Sequence, residues 1–290
     1  MCGLFGAVSL SRGNTISSRI VKRNACEMDT RGGHSVGWCR PVNTTDDDCF
    51  IEYWKQAGLA SENSKHIARI ANTSNSIVGH TRYATHGDVS NNINNHPHIY
   101  STDNCVGAVT HNGVIGDHIK IAIQEGCTMR GQCDSEIIAR LIETCPFSSS
   151  LPDRVAYAVN KCDDSDTIAL GVVETSHSGD TNVVLVSRGN PIWYAVKNNV
   201  LYYASTQNAL PNNAVQLSSN SMMHIVQHEG IANTYHDKLV QYDSYFGLGK
   251  DWRTYTSGKV HQPKKHFSSS DIVWEDDYEL GRKQLAVLAN

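Results

Sequence analysis

Four features of this chain, far apart in sequence, have the chemistry to attack and hold an amide. Cys2 directly follows the initiator methionine. Methionine is readily trimmed before a small side chain. Cys2 would then carry both a thiol and an α-amino group, the latter titrating near neutrality at roughly pKa 7.7–8.0 when unperturbed. One residue thereby supplies nucleophile and base. Asn112-Gly113 follows a short apolar run and offers a side-chain amide N–H and a backbone N–H to an oxyanion. Removing one such donor typically costs a factor of about 10²–10³ in rate. Arg82 presents a planar fork that grips a carboxylate bidentately, and Asp134 presents an anion for an ammonium. The set suits hydrolysis of a side-chain amide in a substrate with a free α-amino-acid end.

Each feature also has a plainer reading. Cys2 can be a small core cysteine at the head of a strand. Asn112-Gly113 has the composition of a tight turn. Arg82 can be a structural ion-pair partner. Asp134 can be a helix N-cap, whose loss costs about 1 kcal/mol. His80, His86, His96, His98 and His111 suggest metal at first sight. Their spacings match neither the helical nor the finger patterns of zinc sites, and there is no CxxC pair. No metal and no cofactor is therefore expected.

The elements that must position these residues are legible in the pattern of apolar side chains. Residues 3–10 read as a buried strand whose glycines allow a substrate to approach Cys2 closely. Residues 17–29 form a helix with Ile20, Val21, Ala25 and Met28 on one face. Strands are predicted at 35–38 and 49–54, around a polar loop at 40–48, and a short helix at 64–71. Residues 76–89 begin as a buried strand and turn polar, delivering Arg82 and its neighbours to a cleft. Residues 91–95 read as a loop closed by His96-Pro97-His98. A strand over 106–110 runs into His111-Asn112-Gly113. Helices follow at 117–124, from Asp134, and from Pro152, which suits a first helical turn. The second half is strands: 167–173, 182–186, 192–196, 200–204, 224–228 and 231–235. Lys197-Asn198-Asn199 marks a hairpin. Strands, then helices, then strands again point to a layered α+β domain.

Composition narrows the function classes. The chain has 290 residues, with 25 Lys and Arg against 29 Asp and Glu, a formal net charge of -4. Nothing there favours nucleic acid or an anionic membrane. The apolar runs are strand-sized, short of the roughly 20 residues that span a bilayer. The N-terminus has no basic-then-apolar signal pattern. The nine cysteines form no framework spacing and read as reduced thiols of a cytoplasmic protein. Residues 1–245 are expected to form the domain, and 246–290 a polar extension that is loosely packed or docks a partner.

Five segments, in order, resemble one known family. They are Met1-Cys2-Gly3-Leu4-Phe5-Gly6, the run from Thr30 to Gly37, Gly79-His80-Thr81-Arg82-Tyr83-Ala84-Thr85-His86-Gly87, His111-Asn112-Gly113, and Cys133-Asp134-Ser135-Glu136. The family is the class II glutamine amidotransferases, N-terminal-nucleophile hydrolases, and the likeness is to the glutaminase half of glucosamine-6-phosphate synthase. It covers about residues 2–245. It implies a four-layer αββα sandwich of two antiparallel sheets (the Ntn-hydrolase fold), with L-glutamine as substrate and a glutamyl-thioester on Cys2. It further implies Asn112 and Gly113 as the oxyanion hole, Arg82 at the glutamine carboxylate and Asp134 at its ammonium. Thr85 and His86 would line the pocket, with Arg31 near the nucleophile. Two positions depart from the family pattern. Tyr83 replaces tryptophan, and Gly33-His34 stands where an aromatic or proline precedes aspartate. No sugar-phosphate isomerase or phosphoribosyltransferase segment follows, so a separate acceptor-binding synthase is the expected partner.

Two further readings stay open: an Ntn amidohydrolase acting on another γ-glutamyl or amide substrate, and a non-catalytic binding or assembly module. Cys2→Ala separates the enzyme readings from the last. It is expected to abolish release of glutamate from glutamine while leaving the circular-dichroism spectrum unchanged. Turnover within tenfold of the parent would place the nucleophile elsewhere.

Overall fold

The computed structural model describes residues 1–11, 13–43, 49–146, 150–176, 178–228, 231–238 and the backbone of 272–274. Its centre is strand β1, Gly3–Ser9, every residue of which is buried. Strand β4, Ser76–Arg82, is buried throughout in the same way. The two pair antiparallel, Gly3 opposite Thr81 and Leu4 opposite His80. A strand buried on both faces needs cover on both sides. The outward residues Phe5 and Ala7 pack with Ile77, Val36 and Trp38 beneath helices α1 (Ser18–Glu27) and α2 (Ser64–Asn72). The inward residues Leu4 and Val8 meet Val78, Tyr203, Ala108, Val173 and Leu185 between the two sheets.

The first sheet has eight strands. Besides β1 and β4 it holds β2 (Ser35–Asn43), β3 (Cys49–Ala57), β9 (Trp193–Lys197), β10 (Val200–Ala204), β11 (Val215–Gln216) and β14 (Ile272–Trp274), in the order β11-β9-β10-β1-β4-β2-β3-β14. The second sheet has six: β5 (His98–Ser101), β6 (Cys105–Val114), β7 (Thr167–Ser176), β8 (Thr181–Arg188), β12 (Ser221–His228) and β13 (Ile231–Lys238), in the order β13-β12-β8-β7-β6-β5. Its outer face is covered by α4 (Glu136–Thr144) and α5 (Leu151–Lys161), with α3 (His118–Glu125) alongside. Strand β7 shows the division of labour: Ile168, Leu170 and Val172 face the helices, and Ala169 and Val173 face the other sheet. The result is the αββα sandwich that the segment likeness implies. No helix among the described residues is long and apolar enough to cross a membrane.

Local signals account for several boundaries. Helix α5 starts where the Ser150 side chain accepts the Asp153 N–H, with Pro152 in the first turn. The hairpin between β9 and β10 has Asn198 and Asn199 at φ 52 and 53, the left-handed pair of a type I′ turn.

Three expectations are corrected. Asn112-Gly113 is not a turn: β6 runs on to Val114, with Asn112 opposite Ala169 and Gly113 opposite Ile168. The neighbouring strand supplies the ladder that overrides local turn propensity. Residues 98–101 are a strand, paired to 106–109. The glycines of β1 make room for the protein and not for a substrate. A Cβ on Gly6 would lie 2.4 Å from the Tyr203 ring, and one on Gly3 2.7 Å from Met28 Cβ. The expected 246–290 extension is described only at 272–274, whose backbone pairs parallel to β3, and the rest of it lies outside the described residues.

Gly6→Ala tests the close packing at the centre. The Tyr203 ring is fully buried and the Ile77 carbonyl would be 2.5 Å from the new methyl. A loss of about 1–3 kcal/mol is expected from overpacking, read as a lower urea midpoint. An unchanged midpoint would show that Tyr203 can move aside.

Candidate active site

Because Gly3 lies opposite Thr81, the pairing of β1 with β4 sets Cys2 beside the exit of β4. There the Cys2 Sγ accepts the Tyr83 N–H at 3.3 Å. Burial pushes the thiol pKa up, the Tyr83 N–H, the chain-terminal ammonium and Arg82 pull it down, and Asp134 raises it. The thiol thus senses both arms of the supposed clamp. Arg31 Nε donates to the Cys2 carbonyl oxygen at 2.9 Å, which puts Arg31 beside Cys2. Met1 is 73% exposed and open to removal.

The residues after β4 are organised by Arg82. Its side chain is buried, and it donates to Asn95 Oδ1 at 2.9 Å, to the Gly87 carbonyl at 3.4 Å and, more tightly, to the His86 carbonyl. Among the described residues no carboxylate lies in ion-pair distance of it. Asn95 is itself fixed, donating to the Val89 carbonyl at 2.8 Å and accepting from Ser35 Oγ at 2.9 Å. Thr85 and His86 are exposed at the edge of this loop, His86 Nδ1 lying 3.2 Å from Thr85 Oγ1.

Asp134 sits across from them. Its carboxylate is buried, with Oδ2 accepting the Ile115 N–H at 2.8 Å and Oδ1 lying 3.7 Å from His86 Nδ1. The helix-cap reading does not hold. Helix α4 starts at Glu136 with Ser135 in the cap position, and the Asp134 carboxylate holds the exit of β6 instead. That exit carries Asn112 and Gly113. Asn112 Nδ2 donates to Ser205 Oγ at 3.4 Å, and the same hydroxyl accepts the Leu4 N–H at 2.9 Å. Asn112 is therefore tied to the strand that Cys2 precedes. At Gly113 a Cβ would fall 1.7 Å from the Thr167 carbonyl oxygen, so no side chain fits there.

Sequence reasoning missed Ser205, Asn95 and Asn190, which donates to the Asn112 carbonyl at 2.9 Å. These residues only hold others in place, and short polar residues in loops give no spacing signal. His34 also acquires a place. Its Nδ1 accepts the Ala84 N–H at 3.0 Å and its ring stacks on Tyr83 with centroids 4.6 Å apart. His34 and Tyr83 thus contact each other, and they brace the backbone that faces Cys2. The two sheets meet behind the site, where His80 Nε2 donates to the His111 carbonyl at 2.9 Å. Burial lowers the His80 pKa to about 3, so that ring stays neutral.

The fold is that of the N-terminal-nucleophile amidotransferases. A solved glutamine phosphoribosylpyrophosphate amidotransferase from B. subtilis superposes with a TM-score of 0.61 at 18% identity, over 83% of this chain and 50% of that one. A second solved chain, described as the allosteric regulatory enzyme of purine biosynthesis, gives 0.60 at 17% identity over 83% of this chain and 50% of that one. The sequence model of the class II glutamine amidotransferases matches residues 1–265, and the chain belongs to that family of enzymes. The glutamine–fructose-6-phosphate aminotransferase (isomerizing) of Vibrio cholerae is 30% identical over 216 residues, 73% of this chain and 33% of that protein. Its Francisella tularensis counterpart is 30% identical over 197 residues, 66% of this chain and 29% of that protein. The chain thus spans about a third of the length of these relatives.

Arg82→Lys tests the loop. Lysine keeps the charge but cannot reach Asn95, His86 and Gly87 together. A fall in glutaminase kcat/KM equivalent to about 2–5 kcal/mol is expected, the range for disturbing a buried, hydrogen-bonded charge. Unchanged kinetics would make the guanidinium a spectator.

Proposed function

We propose that this chain hydrolyses L-glutamine to L-glutamate and ammonia through a γ-glutamyl thioester on Cys2. The observation that carries the reading is a pair of buried opposite charges beside one thiol. Arg82 is held by amide oxygens alone and Asp134 by one N–H, with an imidazole and the Cys133 thiol farther off. A buried charge without a full counterion is costly. The α-carboxylate and α-ammonium of an amino acid would answer both charges at once. With those ends held, the side-chain amide reaches toward Cys2.

In this reading the Cys2 amine, freed once Met1 is removed, takes the thiol proton. The thiolate adds to the amide carbon. Asn112 Nδ2–H and the Gly113 N–H donate to the resulting oxyanion. Collapse breaks the C–N bond, and the amine returns its proton to the leaving nitrogen, which departs as ammonia. Water, deprotonated by the same amine, then cleaves the thioester and releases glutamate. Arg31 steadies the Cys2 carbonyl, and Thr85 and His86 line the entry. We further propose that the ammonia passes to an acceptor-binding partner. Relatives named for amino transfer to fructose 6-phosphate are matched over only about a third of their length.

The direct test is glutamate release by Met1-trimmed protein, compared across glutamine, asparagine and γ-glutamyl peptides. Preference for glutamine is expected, and preference for a peptide would favour a different amidohydrolase. Asn112→Ala should lower kcat far more than it raises KM, because its donor acts on the transition state. A pure KM effect would make Asn112 a substrate-positioning group. Asp134→Asn should lose most of the discrimination against deaminated glutamine, which lacks the α-ammonium. If discrimination survives, the ammonium is bound elsewhere.

A further inference from the structure

Behind the clamp lies a cluster that the proposed hydrolysis does not use. His96, His98 and Cys133 are 2%, 3% and 2% exposed. One ligand atom from each lies within 4.8 Å of the others. Both ring nitrogens of His96, and Nε2 of His98, have no hydrogen-bonding partner among the described residues. A buried polar atom left so costs roughly 1–3 kcal/mol. Ring contacts do not satisfy these nitrogens, although His96 lies between His80, tilted with centroids 3.9 Å apart, and His98, edge-on with centroids 4.5 Å apart. The Cys133 thiol has hydrogen-bonding contacts only to residues beside it in sequence, Ser135 and, at 3.8 Å, Asp134 Oδ1.

We propose that His96, His98 and Cys133 form a buried binding site for a divalent cation of the zinc class. Two imidazole nitrogens and one sulfur are the donors such an ion prefers, and they leave a fourth position open. Calcium and magnesium want oxygen ligands, of which the three supply none. Tetrahedral zinc sets its ligand atoms roughly 3.3–3.6 Å apart, so small side-chain rotations close the site. On binding, the Cys133 S–H bond is replaced by a metal–sulfur bond and its proton leaves to solvent. The loop that carries the two histidines is already held, since Lys55 Nζ donates to the Asn95 carbonyl at 2.8 Å and the Pro97 carbonyl at 3.0 Å. The thiolate and the adjoining Asp134 carboxylate offset the incoming charge.

The site would staple the segment after Asn95, which Arg82 grips, to the segment before Asp134. Sequence spacing gives no hint of it, because the third ligand enters from a distant loop. None of the ligands is a residue assigned to hydrolysis, so the site stands or falls separately from that reaction.

The test uses the full chain carrying Cys2→Ala, which removes the nucleophilic thiol as a competing ligand. Treated with chelator and titrated with Zn²⁺ alone, it should bind one equivalent and unfold at a higher temperature. X-ray absorption at the zinc edge should report one sulfur and two imidazoles. Co²⁺ in place of Zn²⁺ should give the near-ultraviolet thiolate-to-metal band. Adding Cys133→Ser should abolish that band and the thermal shift, and His98→Gln should lower affinity at least tenfold. No binding, a zinc shell without sulfur, or a cobalt band that survives Cys133→Ser would overturn the proposal. If Cys133→Ser does not fold, the absorption spectrum of the Cys2→Ala protein decides alone.

Discussion

A guanidinium taken out of water needs acceptors close to it, and Arg82 shows how much structure that requires. Its partners are the Asn95 side chain and the carbonyls of His86 and Gly87. Satisfying it fixes the loop after β4 and anchors the segment that leads to β5. The Tyr83 N–H, next in sequence, is thereby aimed at Cys2. A neutral side chain of similar size would not need these oxygens, and the loop would have no single conformation to adopt. Three neutral acceptors leave the guanidinium charge without a carboxylate partner among the described residues.

The sandwich explains why the site sits where it does. Both sheets are buried on both faces along β1, β4, β6 and β7, which leaves strand ends as the places where polar groups can gather. Cys2 precedes β1, Arg82 ends β4, and Asn112 and Gly113 lie near the end of β6. Ser205, one residue past β10, joins two of these ends by accepting from Leu4 and Asn112. The Asp134 carboxylate secures a third by accepting from Ile115. Rigid strands with polar ends suit preorganised chemistry, because little has to move when a substrate arrives.

His34 and Tyr83 stack, and His34 takes the Ala84 N–H. A histidine accepts that bond through a ring nitrogen, and its flat face suits the phenol ring beside it.

The sequence by itself determined the reactive set and most of the elements. Short apolar runs located β1, β4, β7 and β10, because those strands are buried on both faces, and helical periodicity located α1, α4 and α5, because it reflects burial on one face. Cys2, Arg82, Asn112, Gly113 and Asp134 were legible as candidates from their chemistry, and Arg31 from the segment likeness alone. Tertiary structure alone decided how they are held. Asn112-Gly113 carries a turn signature, yet pairing with β7 draws it into a strand. Asp134 precedes a helix as a cap would, yet its carboxylate turns to the Ile115 N–H. Asn95, Ser205, and the meeting of His96 and His98 with Cys133 depend on contacts across loops and sheets. Propensity acts over a few neighbours in sequence, whereas hydrogen-bond satisfaction in a buried space draws partners from anywhere in the chain.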